Sequence, residues 1–280
     1  MTNSRAEQAL ALPEALHPWI TGIVTVSAAG PPGTAFTHLP DAATKIVVRV
    51  GTNGQRDVLA VGPRVRATYH DGEVLASCVE LRLAPGTARP LLGVPAAELL
   101  GRVVPLGELP GRTAHQLNRE LRWLTAEETA AHLAATLPER LTAAADRTRT
   151  ALVRAGADAM SVRVGQTPGP VSEVARELAV SERHLRNLFA EGVGLSPKHY
   201  ARINRVRAVL THAATADWAE LAAATGYYDQ SHMTSDFRAL MGVPPRSYFT
   251  GRLPAATPCQ SVLPPRLRAR PSPGSAPVSG

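Results

Sequence analysis

Residues 217–237 read DWAELAAATGYYDQSHMTSDF, and a related stretch, VSEVARELAVSERHLRNLF, occupies residues 171–189. When one residue is inserted in the turn of the second stretch, seven matches fall in register, three of them between residue pairs. The coinciding positions are Val174-Ala175 with Leu221-Ala222, Ala179-Val180 with Gly226-Tyr227, His184-Leu185 with His232-Met233, Phe189 with Phe237, Gly194 with Gly242, Pro197 with Pro245 and Tyr200 with Tyr248. Repetition in this register indicates two copies of one structural unit.

The repeated unit has the pattern of a helix-turn-helix. Ala175 supplies the small residue that is needed where the second helix crosses the first at a steep angle. Ala179 stands in the tight turn, where glycine is more usual, and Ser181 offers an N-cap to the second helix. The sequence therefore predicts helix-turn-helix units at about 171–192 and 218–241.

A basic stretch connects the two units. Ser196-Pro197 is typical of a helix start, and the segment as far as Leu210 contains four basic residues and no acidic one, namely Lys198, Arg202, Arg205 and Arg207. Helical spacing places the first three on adjacent faces. We predict one linker helix that would set the two units against consecutive major grooves, roughly 34 Å apart. A solvated basic face without a partner remains the alternative for the charges.

The second copy resembles the signature of the AraC/XylS family of bacterial transcription regulators. The residues that carry the resemblance are Leu221-Ala222, Gly226-Tyr227, Asp229 to Met233, Phe237, Gly242 to Pro245 and Tyr248. A weaker resemblance links the amino-terminal part to a domain that precedes this one in a subset of the family, on Gly62-Pro63-Arg64, Leu81 to Gly86, Leu92 to Pro95 and Leu99. The resemblance implies a sequence-specific DNA-binding regulator, not an enzyme, whose amino-terminal part senses an effector or dimerises.

The predicted recognition helix of the first unit offers three base-reading residues, Arg183, Arg186 and Asn187. Arginine fits the O6 and N7 atoms of guanine and asparagine fits N6 and N7 of adenine. In the family these positions contact DNA, and arginine usually stands where this chain has Asn187. That departure implies a different base preference.

The second unit offers Gln230, Ser231 and Ser235 for base contact, with Gln230 the best of the three. Ser235 and Asp236 replace a common arginine and its neighbour, and Asp236 would repel phosphate if it faced the DNA backbone. The second unit is expected to add affinity and shape reading more than sequence reading. The residues expected to contact phosphate are Ser181, His184, Lys198, Arg202, Arg205, His232, Arg238 and Arg246.

Eight of the twelve aromatic residues lie between positions 161 and 250, which indicates two differently built domains. Phe189, Phe237, Tyr200 and Tyr248 recur at equal offsets and are interpreted as core. Upstream, β-branched runs alternate with period two at Ile23 to Val26, Lys45 to Val50, Val58 to Val61 and Val74 to Leu83, separated by turns such as Gly30 to Gly33.

The predicted fold class is α+β. A small β-rich, barrel-like domain of sensing or dimerisation function covers residues 1–110, a helical connector covers 111–149, the all-α DNA-binding domain with its linker helix covers 150–250, and a disordered tail covers 251–280. The connector is predicted from leucines at helical spacing, Leu117, Leu121, Leu124, Leu133, Leu137 and Leu141.

Composition narrows the class of protein. The formal net charge is +7, but the last 30 residues hold four basic residues and no acidic one, so the charge itself says little about nucleic acid. No apolar run approaches the roughly 18 residues that span a bilayer, and no export signal is evident. The prediction is a cytoplasmic protein without cofactor or metal. Its expected partners are double-stranded DNA, RNA polymerase, a small-molecule effector and a second copy of the chain.

Two other functions stay open. In the first, the β-rich domain is a DNA-targeted enzyme or alkyl acceptor, for which Cys78 would be the reactive group, although it stands alone among apolar neighbours. In the second, the helical domain is a protein-interaction module that has lost DNA reading, as Ser235 and Asp236 suggest.

Overall fold

The computed structural model describes residues 5–28, 35–51, 54–71, 75–142, 147–162, 165, 167–213 and 217–258. The turn predicted at Gly30 to Gly33 lies outside these residues. The predicted disordered tail covers 251–280, and positions 259–280 lie outside the described residues as well. The prediction is wrong for Thr257–Pro258, which pair with His70 and Asp71 as a short strand.

Strands dominate the amino-terminal half of the described chain. They are β1 (Arg5–Leu10), β2 (Ile20–Ala28), β3 (Phe36–His38), β4 (Lys45–Gly51), β5 (Arg56–Val61), β6 (Thr68–Asp71), β7 (Leu75–Leu83) and β8 (Val103–Pro105). A short strand near the carboxy-terminal end, β9 (Thr257–Pro258), pairs with β6. The main sheet is antiparallel, with the order β1-β2-β7-β4-β5-β8, and a second sheet has the order β3-β6-β9.

A row of buried side chains crosses the main sheet. Ile23 pairs with Leu81, Leu81 with Ile46, Ile46 with Ala60 and Ala60 with Val104. All five are at most 3% exposed. Because residues that alternate along a strand share one face of the sheet, the period-two pattern of the sequence places these side chains together.

The helices follow. They are α1 (Ala88–Leu92), α2 (Arg112–Leu121), α3 (Ala126–Thr142), α4 (Arg147–Ala159), α5 (Val171–Glu177), α6 (Glu182–Gly192), α7 (Pro197–His212), α8 (Trp218–Ala224), α9 (Gln230–Met241) and α10 (Pro245–Phe249), with short 3₁₀ turns at Glu14–Leu16, Ala96–Leu99 and Leu106–Glu108. The predicted α+β class is confirmed. No helix in the described part of the chain is both long and apolar enough to cross a bilayer.

Helices α2 and α3 complete the core of the amino-terminal domain, where the sequence led us to expect a connector. Leu117, Leu121, Leu133, Leu137 and Leu141 are at most 1% exposed and belong to the same apolar cluster as the inner face of the sheet. Helices cover one face of the main sheet, whose edge strands are β1 and β8. Within the described residues no strand pairing closes this sheet, in contrast to the barrel-like form expected. Packing against helices buries the apolar face that a closed barrel would bury in its interior.

Helix α4 belongs to the carboxy-terminal core. Its residues Val153 and Ala157 are buried with Phe189, Val206 and Phe237 in a second apolar cluster. This cluster also takes in Ala42 from the loop before β4. The amino-terminal half thus contributes a buried residue to the carboxy-terminal core, at the interface between the two domains.

Asp41 lies at that interface and is 6% exposed. Its carboxylate pairs with Arg82, with Lys45 at 3.1 Å and with Arg207 of α7 at 3.8 Å, and Arg207 also donates to the carbonyl of Pro40 at 3.1 Å. Burial would raise the pKa of Asp41, but these three cations outweigh it and hold the pKa well below its usual range. The buried carboxylate thus joins the loop before β4 to the linker helix.

Candidate nucleic-acid interface

The two helix-turn-helix units are built around the same turn. Ala179 has φ +52° and Gly226, at the equivalent position, has φ +78°. The next residue in each unit donates its N–H to the carbonyl of the crossing alanine at 2.9 Å, Val180 to Ala175 and Tyr227 to Ala222. A left-handed residue between two steeply crossing helices is therefore required in both copies, and the first copy adopts it without glycine.

The second helix of each unit is capped in the same way. Ser181 Oγ accepts the N–H of His184 at 3.1 Å, and Asp229 Oδ1 accepts the N–H of His232 at 2.7 Å. A side chain that satisfies the third N–H of a helix is the usual N-cap arrangement. Both histidine rings lie on the surface, and that of His232 packs edge-on against Tyr227, with 5.2 Å between the ring centroids.

The cores of the two units match as well. Phe189 and Phe237 are completely buried. The ring of Tyr200 meets Phe189 edge-on at 5.6 Å, and Tyr248 meets Phe237 at 5.9 Å. Both tyrosines come from the helix that follows the unit, α7 or α10, so each copy includes the first turn of the next helix.

The outward face of α6 presents the three residues predicted to read bases in the first unit. Arg183, Arg186 and Asn187 are all exposed, while Leu185 and Leu188 of the same helix are buried. Arg186 pairs with Glu182 one turn earlier. Exposed pairs of this kind contribute about 1 kcal/mol or less, so the guanidinium can exchange its partner at little cost.

The outward face of α9 carries Gln230, Ser231, Ser235 and Arg238, all exposed. These four side chains line a groove of about 930 Å³ whose opposite wall belongs to the amino-terminal domain. The structure thus brings the predicted base contacts of the second unit together with Arg238, one of the predicted phosphate contacts.

The predicted phosphate contacts separate into two groups. Most are exposed, namely Ser181, His184, Lys198, His232, Arg238 and Arg246. Arg202 and Arg205 are instead engaged within the protein. The Nε of Arg202 donates to Asp236 of α9 at 2.7 Å, and the guanidinium of Arg205 lies 5.7 Å from the centre of the Tyr227 ring.

This placement corrects the interpretation of α7. Helical spacing groups Lys198, Arg202 and Arg205 on neighbouring faces, but the face that carries the two arginines packs against α9 and the turn before it. The interpretation of Asp236 is also corrected. Its carboxylate is 13% exposed and is neutralised by Arg202, so it does not stand as a free negative charge facing the DNA backbone.

Two groups beside the contact between α7 and α9 have shifted pKa values. Burial, reinforced by Asp236, raises the pKa of the Tyr227 hydroxyl. Burial, reinforced by Arg202, lowers the pKa of His199. Both groups are therefore neutral at physiological pH, as expected of polar side chains that are packed rather than solvated.

Two residues near the predicted surface were missed in the sequence. Tyr228 is 93% exposed directly before the N-cap of α9. The sequence could have predicted this exposure, because Tyr227 already fills the core position and Tyr228 therefore falls outside the apolar period. Arg66 is exposed and lines the groove beside α9. No local signal identifies it, because it lies more than 160 residues away in the sequence.

Comparison with known proteins agrees with the repeated unit. Residues 174–251 match a family model described as a helix-turn-helix domain. No curated protein sequence matches the chain.

Several solved structures are similar. The C-terminal domain of AraT, a response regulator from Geobacillus stearothermophilus, is 24% identical over 37% of this chain and 88% of its own, with a TM-score of 0.34. A transcriptional regulator with an AraC-type DNA-binding domain from Chromobacterium violaceum is 22% identical over 42% of this chain and 100% of its own, with a TM-score of 0.32. ToxT from Vibrio cholerae is 10% identical over 83% of this chain and 97% of its own, with a TM-score of 0.40.

Proposed function

We propose that the chain is a sequence-specific transcription regulator of the AraC type, which inserts α6 and α9 of its helix-turn-helix domain into successive major grooves of an operator. The observation that carries the proposal is the equivalence of the two helices. Each follows a left-handed turn, is capped on its third N–H, and is anchored by a buried phenylalanine, so that its polar face points outward.

The first unit supplies most of the sequence reading. Arg183, Arg186 and Asn187 are exposed on one face of α6, and each is of a type that forms two hydrogen bonds with one base. A matched base is worth about 1–3 kcal/mol against a mismatched one. In the second unit Gln230 is the proposed base contact, with Ser231 and Ser235 beside it.

Phosphate contacts position the two helices. We assign them to the exposed groups Ser181, His184, Lys198, His232, Arg238 and Arg246. Such contacts fix the register of a protein on the duplex without reading sequence. Arg202 and Arg205 are left out because their partners lie within the protein.

The amino-terminal domain is proposed to modulate DNA binding, through a small-molecule effector or a second copy of the chain. It is bonded to the carboxy-terminal ends of both recognition helices. The N–H of Gly86 donates to the carbonyl of Gly192 at 2.9 Å, and the N–H of Ala67 donates to that of Leu240 at 2.8 Å. Carbonyls at a helix end have no partner within the helix, so a shift of this domain would move both helices. RNA polymerase is the proposed target of the bound regulator.

The two rival functions gain little from the structure. Cys78 is 5% exposed in β7, where a thiol meets no bulky substrate. Asp236, one of the two residues behind the interaction-module alternative, is paired with Arg202 and does not oppose DNA.

The test is an in vitro selection of random duplex DNA by the full chain, washed at about 150 mM salt so that purely electrostatic binding is suppressed. We expect one strongly selected block of bases and a weaker block about one helical turn away. Replacing Arg183 and Arg186 by alanine should abolish the strong block. Arg119→Ala with Arg122→Ala removes the same charge from exposed positions on the amino-terminal domain and should leave the motif intact. A flat selection with the unaltered chain would overturn the proposal.

A further inference from the structure

The groove beside α9 has walls from both domains. Its floor is the outward face of α9, with Gln230, Ser235 and Arg238, and its opposite wall includes Arg66 and Tyr69 from the strand β6 region. The face that is proposed to enter the major groove of DNA is therefore flanked by the amino-terminal domain.

Two hydrogen bonds hold that wall in place. The N–H of Ala67 donates to the carbonyl of Leu240 at 2.8 Å, and the hydroxyl of Tyr69 donates to the carbonyl of Met241 at 2.6 Å. Burial of the Tyr69 hydroxyl raises its pKa to about 12, so it remains a donor at neutral pH. Arg66, next to Ala67 in the chain, is thereby fixed beside the last turn of α9, with its side chain exposed.

The groove is cationic. Arg66 and Arg238 both line it, and none of its lining residues is a carboxylate. In the part of the chain that the structure describes, neither guanidinium has an acidic group within ion-pair distance. Two unpaired positive charges on one groove, together with the hydroxyl and amide groups of α9, match a phosphate backbone in charge and in hydrogen bonding.

We infer that Arg66 contacts the DNA backbone beside the second recognition helix, so that the amino-terminal domain forms part of the nucleic-acid surface. A helix in the major groove has a phosphate strand on either side, and Arg66 stands where one of these strands would pass the carboxy-terminal end of α9. This inference rests on the proposed function, because it requires α9 to enter DNA.

The experiment uses the full chain and the operator that the selection recovers. Affinity is measured by fluorescence anisotropy at several salt concentrations for the unaltered chain, Arg66→Ala, Arg66→Lys and the control Arg119→Ala, which removes an exposed arginine of α2 outside the groove. Circular dichroism and thermal unfolding verify that each variant is folded. Arg66 is exposed, so its replacement is expected to leave the fold unchanged.

We expect Arg66→Ala to weaken operator binding by roughly three- to tenfold and to reduce the slope of log K against log salt by about 1. The loss should be equal for operator and for unrelated DNA, since a phosphate contact reads no sequence. Arg66→Lys should restore most of the affinity, and Arg119→Ala should change neither quantity.

Three results for Arg66→Ala would overturn the inference. Unchanged affinity in Arg66→Ala would remove Arg66 from the surface, and a gain would mean that the amino-terminal wall obstructs DNA. A loss of affinity with the salt slope unchanged would assign the effect to domain packing. If the unaltered chain recovers no operator, the proposed function fails and the inference falls with it. If the unaltered chain selects an operator and only the expected effect of Arg66→Ala is missing, the inference about Arg66 is wrong and the proposed function is unaffected.

Discussion

The Nε atom of Arg202 lies 2.7 Å from Oδ1 of Asp236, and this contact joins the linker helix to the second recognition helix. The aspartate is 13% exposed and the arginine 33%. A partly buried pair of this kind fixes geometry more than it adds stability, since desolvation offsets much of the attraction. The orientation of α9 relative to the rest of the DNA-binding domain therefore depends on a charge that faces inward.

Removing one partner of that pair should be costly. Asp236→Asn retains the size of the side chain but leaves the Arg202 charge without compensation, and we expect the free energy of unfolding to fall by about 1–2 kcal/mol. Denaturant titration measures the change. The pair of Arg49 with Asp57, at 2.9 Å on the main sheet, provides the control, because the carboxylate of Asp57 is 29% exposed. Asp57→Asn should cost less than Asp236→Asn, and the reverse order would contradict this account.

The two turns should respond oppositely to exchange of their residues. Ala179 is exposed and left-handed, so Ala179→Gly removes backbone strain without leaving a cavity and should stabilise the protein by about 0.5–1 kcal/mol. Gly226→Ala should destabilise it by at least about 1–2 kcal/mol, because the added Cβ would also overlap the Thr167 side chain. Thermal unfolding of both variants decides the matter, and a stabilised Gly226→Ala would show that the two turns are not equivalent.

The carboxylate of Asp41 should make stability depend on pH in the acid range. Its pKa is lower in the folded chain than in the unfolded chain, so its contribution is fully present above the unfolded pKa. That contribution is lost as the pH falls below about 4. In Asp41→Asn the free energy of unfolding should be lower at neutral pH and should decline less between about pH 5 and pH 2. Parallel curves for the two proteins would assign the acid sensitivity to other groups.

Much of the DNA-binding domain could be predicted, because the residues that determine its turns, caps and cores are close together in the sequence. The turn, cap and core positions recur at fixed offsets, and the repeat identified both recognition helices before any contact was known. The orientation of Arg202 and Arg205 could not be predicted. Helical periodicity gives the faces of α7, but which face meets α9 is decided by packing between segments about 30 residues apart.

In the amino-terminal domain, too, some elements could be predicted from local sequence and others depend on tertiary packing. The long strands β2, β4, β5 and β7 follow the alternation of the sequence, because a sheet with one buried face imposes that period. The short strands β3, β6, β8 and β9 have two to four residues and carry no such pattern. The wall that holds Arg66 beside α9 is built from these short segments, so that part of the candidate site depends on tertiary structure alone.

The hydroxyl of Tyr69 should couple the amino-terminal domain to the second recognition helix. Tyr69→Phe removes its bond to the carbonyl of Met241, and a lost hydrogen bond of this kind costs about 1 kcal/mol. Amide hydrogen exchange should become faster in the last turn of α9 and remain unchanged in α6, which the amino-terminal domain contacts elsewhere. Equal acceleration in both helices would indicate global destabilisation instead of a local coupling.

Asn187 offers the sharpest test of base reading. It is exposed on the outward face of α6, one residue after Arg186, and its amide fits adenine N6 and N7. Asn187→Arg should therefore change the preferred base at one position of the strong block from adenine to guanine, with a discrimination of about 1–3 kcal/mol. Selection of random DNA by the variant measures this directly. Asn187→Ala, which removes the amide without adding a new donor, should lose the preference at that position and gain no other. If the motif of Asn187→Arg is unchanged, the residue faces away from the bases, and the sequence reading of the first unit belongs to Arg183 and Arg186.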